Sequence, residues 1–171
     1  MDRYVHHELR SVYSALVALA VCVPVTTGVR GAPLTAGGLG MFVTCGLAFT
    51  VVSTLLHASR VKWFGEVRDF EKAVPLDQAP PAVSLRTHPL NTWLLAAMLV
   101  PTLALAIAWE PWVALLPLWA ALPWLGQAWL AADWERRNGK VLWRGHDQDA
   151  PWKLSVTPRP LPRTATGALP E

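Results

Sequence analysis

The sequence predicts an all-α membrane protein with four transmembrane helices in two helical hairpins, a cytoplasmic interfacial helix, a small C-terminal cytoplasmic β-hairpin and a disordered tail. Three observations lead to this fold class. Apolar residues make up 53% of the 171 positions and charged residues only 16%, which is typical of membrane proteins. Residues 92–132 carry one formal charge, Glu110, although a single bilayer crossing needs only about 20 residues. Lys and Arg cluster on one side of the predicted arrangement.

The first hairpin consists of two spans, at about 11–27 and 39–57, within a bundle of residues 1–136. No small-residue cleavage site follows the first apolar segment, so we expect it to be retained rather than removed as a signal peptide. In the second span Gly46, Thr50 and Thr54 recur every four residues. Small residues on one face let helix backbones approach closely. We therefore expect this face to pack on another helix, either of this chain or of another subunit.

The second hairpin consists of spans at about 92–109 and 112–132. The chain turns at Glu110-Pro111, because proline is favoured at the first position of a helix. Trp residues mark both predicted interfaces with the aromatic belt typical of membrane proteins: Trp93, Trp109, Trp112, Trp129 and Trp134.

Trp119 and Trp124 do not fit the aromatic belt. At a rise of 1.5 Å per residue they lie roughly 10 and 18 Å below Trp112, near the middle of the bilayer. Pro117 and Pro123 lie beside them and predict a bent helix. A buried indole N–H usually finds a hydrogen-bond partner. We consider these two rings candidates for contact with a partner subunit, a lipid or a pigment-like ligand, with burial in the protein's own bundle as the alternative.

The polar segments contain less regular structure. Apolar residues at helical spacing predict an amphipathic helix in the membrane interface at about 60–74. Residues 137–157 form a cytoplasmic extension, in which 141–144 and 152–156 are predicted to pair as a hairpin. Residues 158–171 are rich in proline and small residues, which predicts a flexible tail.

The distribution of Lys and Arg predicts the orientation. All of them except Arg30 lie in the N-terminal segment, the central loop or the C-terminal segment. Because cytoplasmic loops retain basic residues, both termini and the central loop are expected in the cytoplasm. The bias toward Ala, Leu, Pro, Arg and Trp is typical of a high-GC bacterial genome. We therefore expect a multi-pass protein of a bacterial inner membrane.

Most kinds of catalytic site are not indicated by the sequence. It contains no GxSxG, no HExxH, no phosphate-binding loop and no Gly-rich dinucleotide fingerprint. No ionisable residue lies in the middle of a predicted span, whereas proton-coupled carriers usually need one. The net charge is only +3, so we assign the basic excess to membrane topology rather than to nucleic acid binding.

One group of polar residues is a candidate metal or haem site. His7, His57, His88 and Asp133 all lie near predicted span ends on the cytoplasmic side. Imidazole and carboxylate groups from several helices can build a metal site, and imidazoles also ligate haem. Polar residues belong at span ends whatever the function, and the spacing matches no metal motif, so a purely structural interpretation stays open. The sequence identifies no cofactor.

Three functional hypotheses follow from these features. The leading one is a non-catalytic accessory or scaffold subunit of a larger bacterial membrane complex, in contact with lipids and other membrane protein subunits. The first alternative is a small membrane enzyme or a metal- or haem-binding protein, with its site at the cytoplasmic ends of the helices. The second alternative is a self-associating channel or pore-former.

Overall fold

A computed structural model describes residues 2–31, 36–59, 66–76, 78, 80, 85, 88–145 and 153–159. Its helices are α1 (Tyr4–Arg30), α2 (Ala36–Ala58), α3 (Glu66–Glu71), α4 (Thr92–Ala108) and α5 (Leu116–Asn138), with a 3-10 turn at Pro111–Leu115 before α5. Its strands are β1 (Asp2–Arg3), β2 (Val74–Pro75), β3 (Lys140–Arg144) and β4 (Leu154–Pro158). The prediction of a mostly helical protein with a small C-terminal sheet is confirmed.

Three of the described helical segments are long and apolar enough to cross a membrane. They are Tyr4–Arg30, Leu39–Ala58 and Pro111–Asn138, the last combining the 3-10 turn with α5. Helix α4 is also apolar but has only 17 residues. These segments suggest a membrane location, as the composition predicts.

Helix α1 lies at the centre of the bundle and packs against both α4 and α5. From Ser11 onward, small side chains spaced three or four residues apart make up most of the buried face of α1: Ser11, Ala15, Ala18, Cys22 and Thr26. Small side chains allow the neighbouring helices to approach closely and to gain dispersion contacts along their length.

Helix α2 packs on α5 through its small-residue face. A Cβ atom built on Gly46 would lie 2.6 Å from Nε1 of Trp119, and one built on Gly126 would lie 2.7 Å from Oγ1 of Thr54. The two glycines therefore create the space that the opposing side chains fill. Of the two alternatives for this face, packing within the chain is the one observed.

A four-stranded sheet covers the end of the bundle where α1 begins and α5 ends, with strand order β1-β3-β4-β2. The predicted hairpin is present as β3 and β4, paired antiparallel with Trp143 opposite Ser155. Strand β1 adds antiparallel to β3, and β2 adds parallel to β4. These two-residue strands were not predicted, because their partners lie far away in the sequence.

Two boundaries differ from the prediction. The described part of the central helix is Glu66–Glu71, Val74 belongs to β2, and residues 60–65 lie outside the described residues. Phe70 is only 1% exposed and contacts the rings of Tyr4 and Trp134. Phe70 belongs to a buried cluster with Leu142 of β3 and Val156 of β4, so this side chain does not face lipid. Strand β4 extends to Pro158, where the flexible tail was predicted to begin, and residues 160–171 lie outside the described residues.

Candidate functional site

A polar pocket of about 380 Å³ opens at the sheet-covered end of the bundle. We call it the boundary pocket, because it lies where the apolar part of the helices meets the polar sheet. Its walls come from the start of α1, from α3, from the start of α4, from α5 and from the end of β3. The lining residues are Tyr4, His7, Glu8, Ser11, Glu66, Asn91, Leu94, Trp124, Gln127 and Arg144.

Hydrogen bonds between helices hold one wall of the pocket in place. Asn91 caps α4, since its side-chain oxygen accepts a hydrogen bond from the Leu94 backbone N–H at 3.2 Å. The Asn91 backbone N–H in turn donates to Oγ of Ser14 on α1 at 2.8 Å. The start of α4 is thereby joined to α1, one turn along from the pocket residue Ser11.

An ion pair crosses the pocket from the bundle to the sheet. Nη1 of Arg144, the last residue of β3, lies 3.2 Å from Oε1 of Glu8 on α1. Glu8 is only 3% exposed. A carboxylate buried to this extent requires a paired charge, because desolvation disfavours the ionised form. Arg144 is the ion-pair partner of Glu8.

Glu66 is the second carboxylate in the pocket. The Tyr4 hydroxyl donates a hydrogen bond to Oε2 of Glu66 at 2.9 Å, and Nε2 of His57 lies 3.7 Å from Oε1. Nδ1 of His57 lies 2.6 Å from the Ser53 carbonyl oxygen and donates to it. Burial raises the pKa of the Glu66 carboxyl, although the Tyr4 hydrogen bond and the nearby His57 and Arg144 charges act in the opposite direction.

The sheet is attached to the bundle beside the pocket by Glu135, the most deeply buried acidic residue described. Its side chain is 0% exposed and forms an ion pair with Arg3 of β1. Oε1 of Glu135 also accepts a hydrogen bond from the Leu142 backbone N–H at 2.9 Å. One carboxylate thus connects α5 with two strands.

The predicted metal ligands are separated in the structure. His7 lines the boundary pocket, His57 contacts Glu66, and His88 is exposed. Asp133 is occupied by two guanidinium groups, those of Arg136 at 2.6 Å and Arg137 at 2.7 Å. Among the described residues no three His, Cys, Asp or Glu side chains are grouped to hold a metal ion. A metal or haem site remains a prediction from the sequence.

Trp119 packs inside the bundle. It stacks on Phe42 with ring centroids 4.8 Å apart and on Phe49 at 6.5 Å, both from α2. Its indole N–H is buried without a hydrogen-bond partner among the described residues. An apolar crevice of about 110 Å³ adjoins the ring, lined also by Met41, Cys45 and Trp112.

Trp124 lies further along α5 and packs with the cluster of Val12, Ala15 and Ala121. It also lines the boundary pocket. Both tryptophans that the belt does not explain therefore contact the protein's own helices. Contact of these rings with a partner subunit, a lipid or a pigment-like ligand stays a prediction from the sequence.

Sequence reasoning identified His7 and Trp124 but not Tyr4, Glu8, Glu66 or Arg144. One signal was present: Glu8 lies one turn before the apolar part of α1, on the face that continues through Ser11 and Ala15. An acidic residue in line with a buried face must find a buried partner. The identity of that partner was not accessible, because Arg144 is 136 residues away.

The fold and the pocket define a class: an α-helical protein with three helices able to cross a membrane, a small sheet over one end of the bundle, and a charged pocket beneath that sheet. Compared with known protein families, characterised proteins and solved structures, the chain matches none of them. Function is therefore argued from the site alone.

Proposed function

We propose that the chain crosses a bacterial inner membrane four times, with the sheet and both termini in the cytoplasm. The position of α4 relative to α1 supports the fourth crossing. Ser14 of α1 bonds to Asn91 at the start of α4, and Arg30 at the end of α1 bonds to the carbonyl oxygens of Ala106 and Trp109. Helix α4 thus runs beside the apolar part of α1 over its whole length, and its 17 residues meet the lower limit for a span.

Reporter fusions test this topology. A periplasm-specific reporter fused after Pro33 is expected to be active, and one fused after Asp77 inactive, because the basic residues keep the central loop in the cytoplasm. A cytoplasm-specific reporter at the same positions is expected to give the opposite pattern. If both positions report the same compartment, the four-span arrangement is wrong.

The function that the geometry supports best is ligand binding in the boundary pocket. The observation that carries this proposal is a cavity of about 380 Å³ whose wall is built by five separate elements and contains buried and half-buried charged groups. Keeping Glu8 and Glu66 out of water is unfavourable unless they interact with charged or hydrogen-bonding groups. A purely structural interior would be more stable if apolar side chains filled this space. The pocket lies at the same end of the helices where the sequence predicted the site of a membrane enzyme or a metal- or haem-binding protein.

Native mass spectrometry of the protein purified in mild detergent tests ligand binding. Wild-type protein, incubated with a total lipid and metabolite extract, is expected to carry an added mass. Two variants that fill the pocket from different helices, Ser11→Leu and Gln127→Phe, are expected to reduce the bound fraction about tenfold, because overpacking opposes entry of the ligand. Thr44→Leu on the exposed side of α2 is the control and should retain the added mass. Equal retention by all variants, or no added mass on the wild type, would contradict the proposal.

An accessory subunit without catalytic activity is the second candidate, and α2 is the feature that favours it. This helix packs along one side on α5 and leaves large apolar side chains outside, including Met41, Val51 and Leu55, which are 72%, 57% and 65% exposed. Lipid or another membrane subunit can cover such a surface. The same mass spectra separate these two cases. A second protein in stoichiometric amount supports the accessory subunit, and lipid alone argues against it.

A further inference from the structure

We infer that the boundary pocket binds a positively charged amine, with Glu66 as its counter-charge. This inference rests on the proposed function, since it names the ligand class of the same site. It follows from the balance of charges around the cavity, from the groups that remain for a ligand, and from the position of the cavity at the end of the bundle.

Among the described residues, the ion pairs of the Arg side chains near the pocket do not include Glu66. Arg144 is paired with Glu8 at 3.2 Å. Two further ion pairs nearby, Arg3 with Glu135 and Arg10 with Asp2, are also internally balanced. No Lys or Arg among the described residues forms an ion pair with Glu66, whose polar contacts there are the Tyr4 hydroxyl and, at 3.7 Å, the His57 ring. Within the described residues, Glu66 is therefore the lining carboxyl group without a guanidinium or ammonium partner.

The surroundings of Glu66 disfavour its ionised form. The Glu66 side chain is 24% exposed, so most of it is withdrawn from water. Burial raises its pKa, as expected of a carboxylate without a full counter-ion. An ammonium group within hydrogen-bonding distance would supply that counter-ion through a charge-assisted hydrogen bond, which is about twice as strong as a neutral one.

The other lining groups suit an amine better than an anion. Among the described lining residues Arg144 is the only Lys or Arg, and it is paired with Glu8. Trp124 provides an aromatic ring of the kind that attracts ammonium groups. Gln127 and Ser11 provide oxygen acceptors for the N–H groups that Glu66 does not bind. An anion would compete with Glu8 for Arg144 and would lie beside the Glu66 carboxyl group.

Two sources can supply such an amine. Because the pocket lies at the end of the bundle, level with the start of α1 and α4, the headgroup of an aminophospholipid is one source. A small water-soluble amine is the other. Both present the same ammonium group to Glu66, and they differ only in whether acyl chains follow it into the membrane.

Binding measurements on the full-length protein distinguish the sources. In one arm, the protein is placed in phosphatidylcholine nanodiscs that contain about 20 mol% of a second lipid. The second lipid is phosphatidylethanolamine in one sample and phosphatidylglycerol in the other. Native mass spectrometry then identifies the lipid that the protein retains. In the other arm, free ethanolamine and inorganic phosphate are titrated into protein in detergent. Selective retention of phosphatidylethanolamine supports a lipid source, and binding of free ethanolamine supports a soluble one.

Two substitutions test the role of Glu66 directly. Glu66→Gln keeps the shape of the side chain and removes its charge, and it is expected to weaken amine binding by at least about tenfold, the loss of one charge-assisted contact. Asp69→Asn on the same helix is the control, since Asp69 is 62% exposed and its loss should weaken binding much less than Glu66→Gln does. Thermal unfolding of both variants checks that they are folded.

The outcomes separate this inference from the proposed function. If the pocket ligand is anionic, or if Glu66→Gln binds the amine as tightly as the wild type, the inference is wrong while ligand binding stands. If no probe binds and Ser11→Leu changes no bound mass, both are wrong. Amine binding that is lost in Glu66→Gln and retained in Asp69→Asn supports both.

Discussion

Replacing Glu135 with alanine is expected to lower the free energy of unfolding by about 2–4 kcal/mol, the largest effect of any single side chain considered. The substitution removes the partner of Arg3 and leaves the Leu142 backbone N–H without its acceptor. Removing one member of a fully buried ion pair costs about 3–5 kcal/mol. The side chain of Arg3 is 32% exposed, so water replaces part of its lost interaction and the expected value is somewhat smaller.

Chemical unfolding in detergent, followed by far-ultraviolet circular dichroism, measures this effect. Glu135→Gln should lie between alanine and the wild type, because the amide oxygen still accepts from Leu142 while the ion pair is lost. Arg136→Ala, whose side chain is 71% exposed in a surface pair with Asp133, is the control and should change stability by less than about 1 kcal/mol. A loss in Glu135→Ala no greater than in Arg136→Ala would show that Glu135 does not attach the sheet to the bundle.

The second large effect concerns the contact between α2 and α5. Gly46→Ala is expected to destabilise the protein by about 1–3 kcal/mol, the usual cost of overpacking a well-packed site. The new Cβ would lie 2.6 Å from Nε1 and 2.9 Å from Cδ1 of Trp119. The indole has little room to retreat, since Phe42 and Phe49 stack on it. The helices must therefore separate or the ring must leave its rotamer.

Gly40→Ala in the same helix is the matched control. A Cβ at this position meets nothing within 4 Å, so the substitution should be neutral or stabilise by up to about 1 kcal/mol through helix propensity. The two substitutions are chemically identical, and only Gly46→Ala should lower the stability. Trp119→Phe in the Gly46→Ala background should recover part of the loss, because the smaller ring leaves space for the new methyl group. Equal stability of the two alanine variants would mean that α2 and α5 are not in close contact.

Sequence patterns predicted the four main helices because long apolar runs are a local property. Their positions in the structure agree with the predicted spans to within a few residues, apart from extensions at the polar ends of α1 and α5. The β3-β4 hairpin was predicted for the same reason, since both strands and their turn are close in the chain. The central helix was predicted less well. Phe70 has the spacing of a lipid-facing residue, but Tyr4, which is distant in sequence, buries it.

Small residues gave a correct but incomplete prediction of helix packing. The ladder in α2 indicated a close contact, and the structure identifies Trp119 and α5 as what fills it. The corresponding face of α1 carries the same signal and makes the more extensive contacts. Spacing alone cannot name the partner of a small-residue face, because any helix of suitable shape can occupy it.

The sequence by itself determined the class of protein: apolar runs of sufficient length make long helices suited to a membrane, and basic residues indicate an orientation. Only the tertiary structure decided which polar and charged side chains meet in the boundary pocket. Glu8 meets Arg144 across 136 positions, and Tyr4 meets Glu66 across 62. The physical reason is that hydrophobicity acts through the local run of residues, whereas a buried charge is stabilised by whichever partner the fold brings within a few ångströms. The boundary pocket is a product of those long-range pairings.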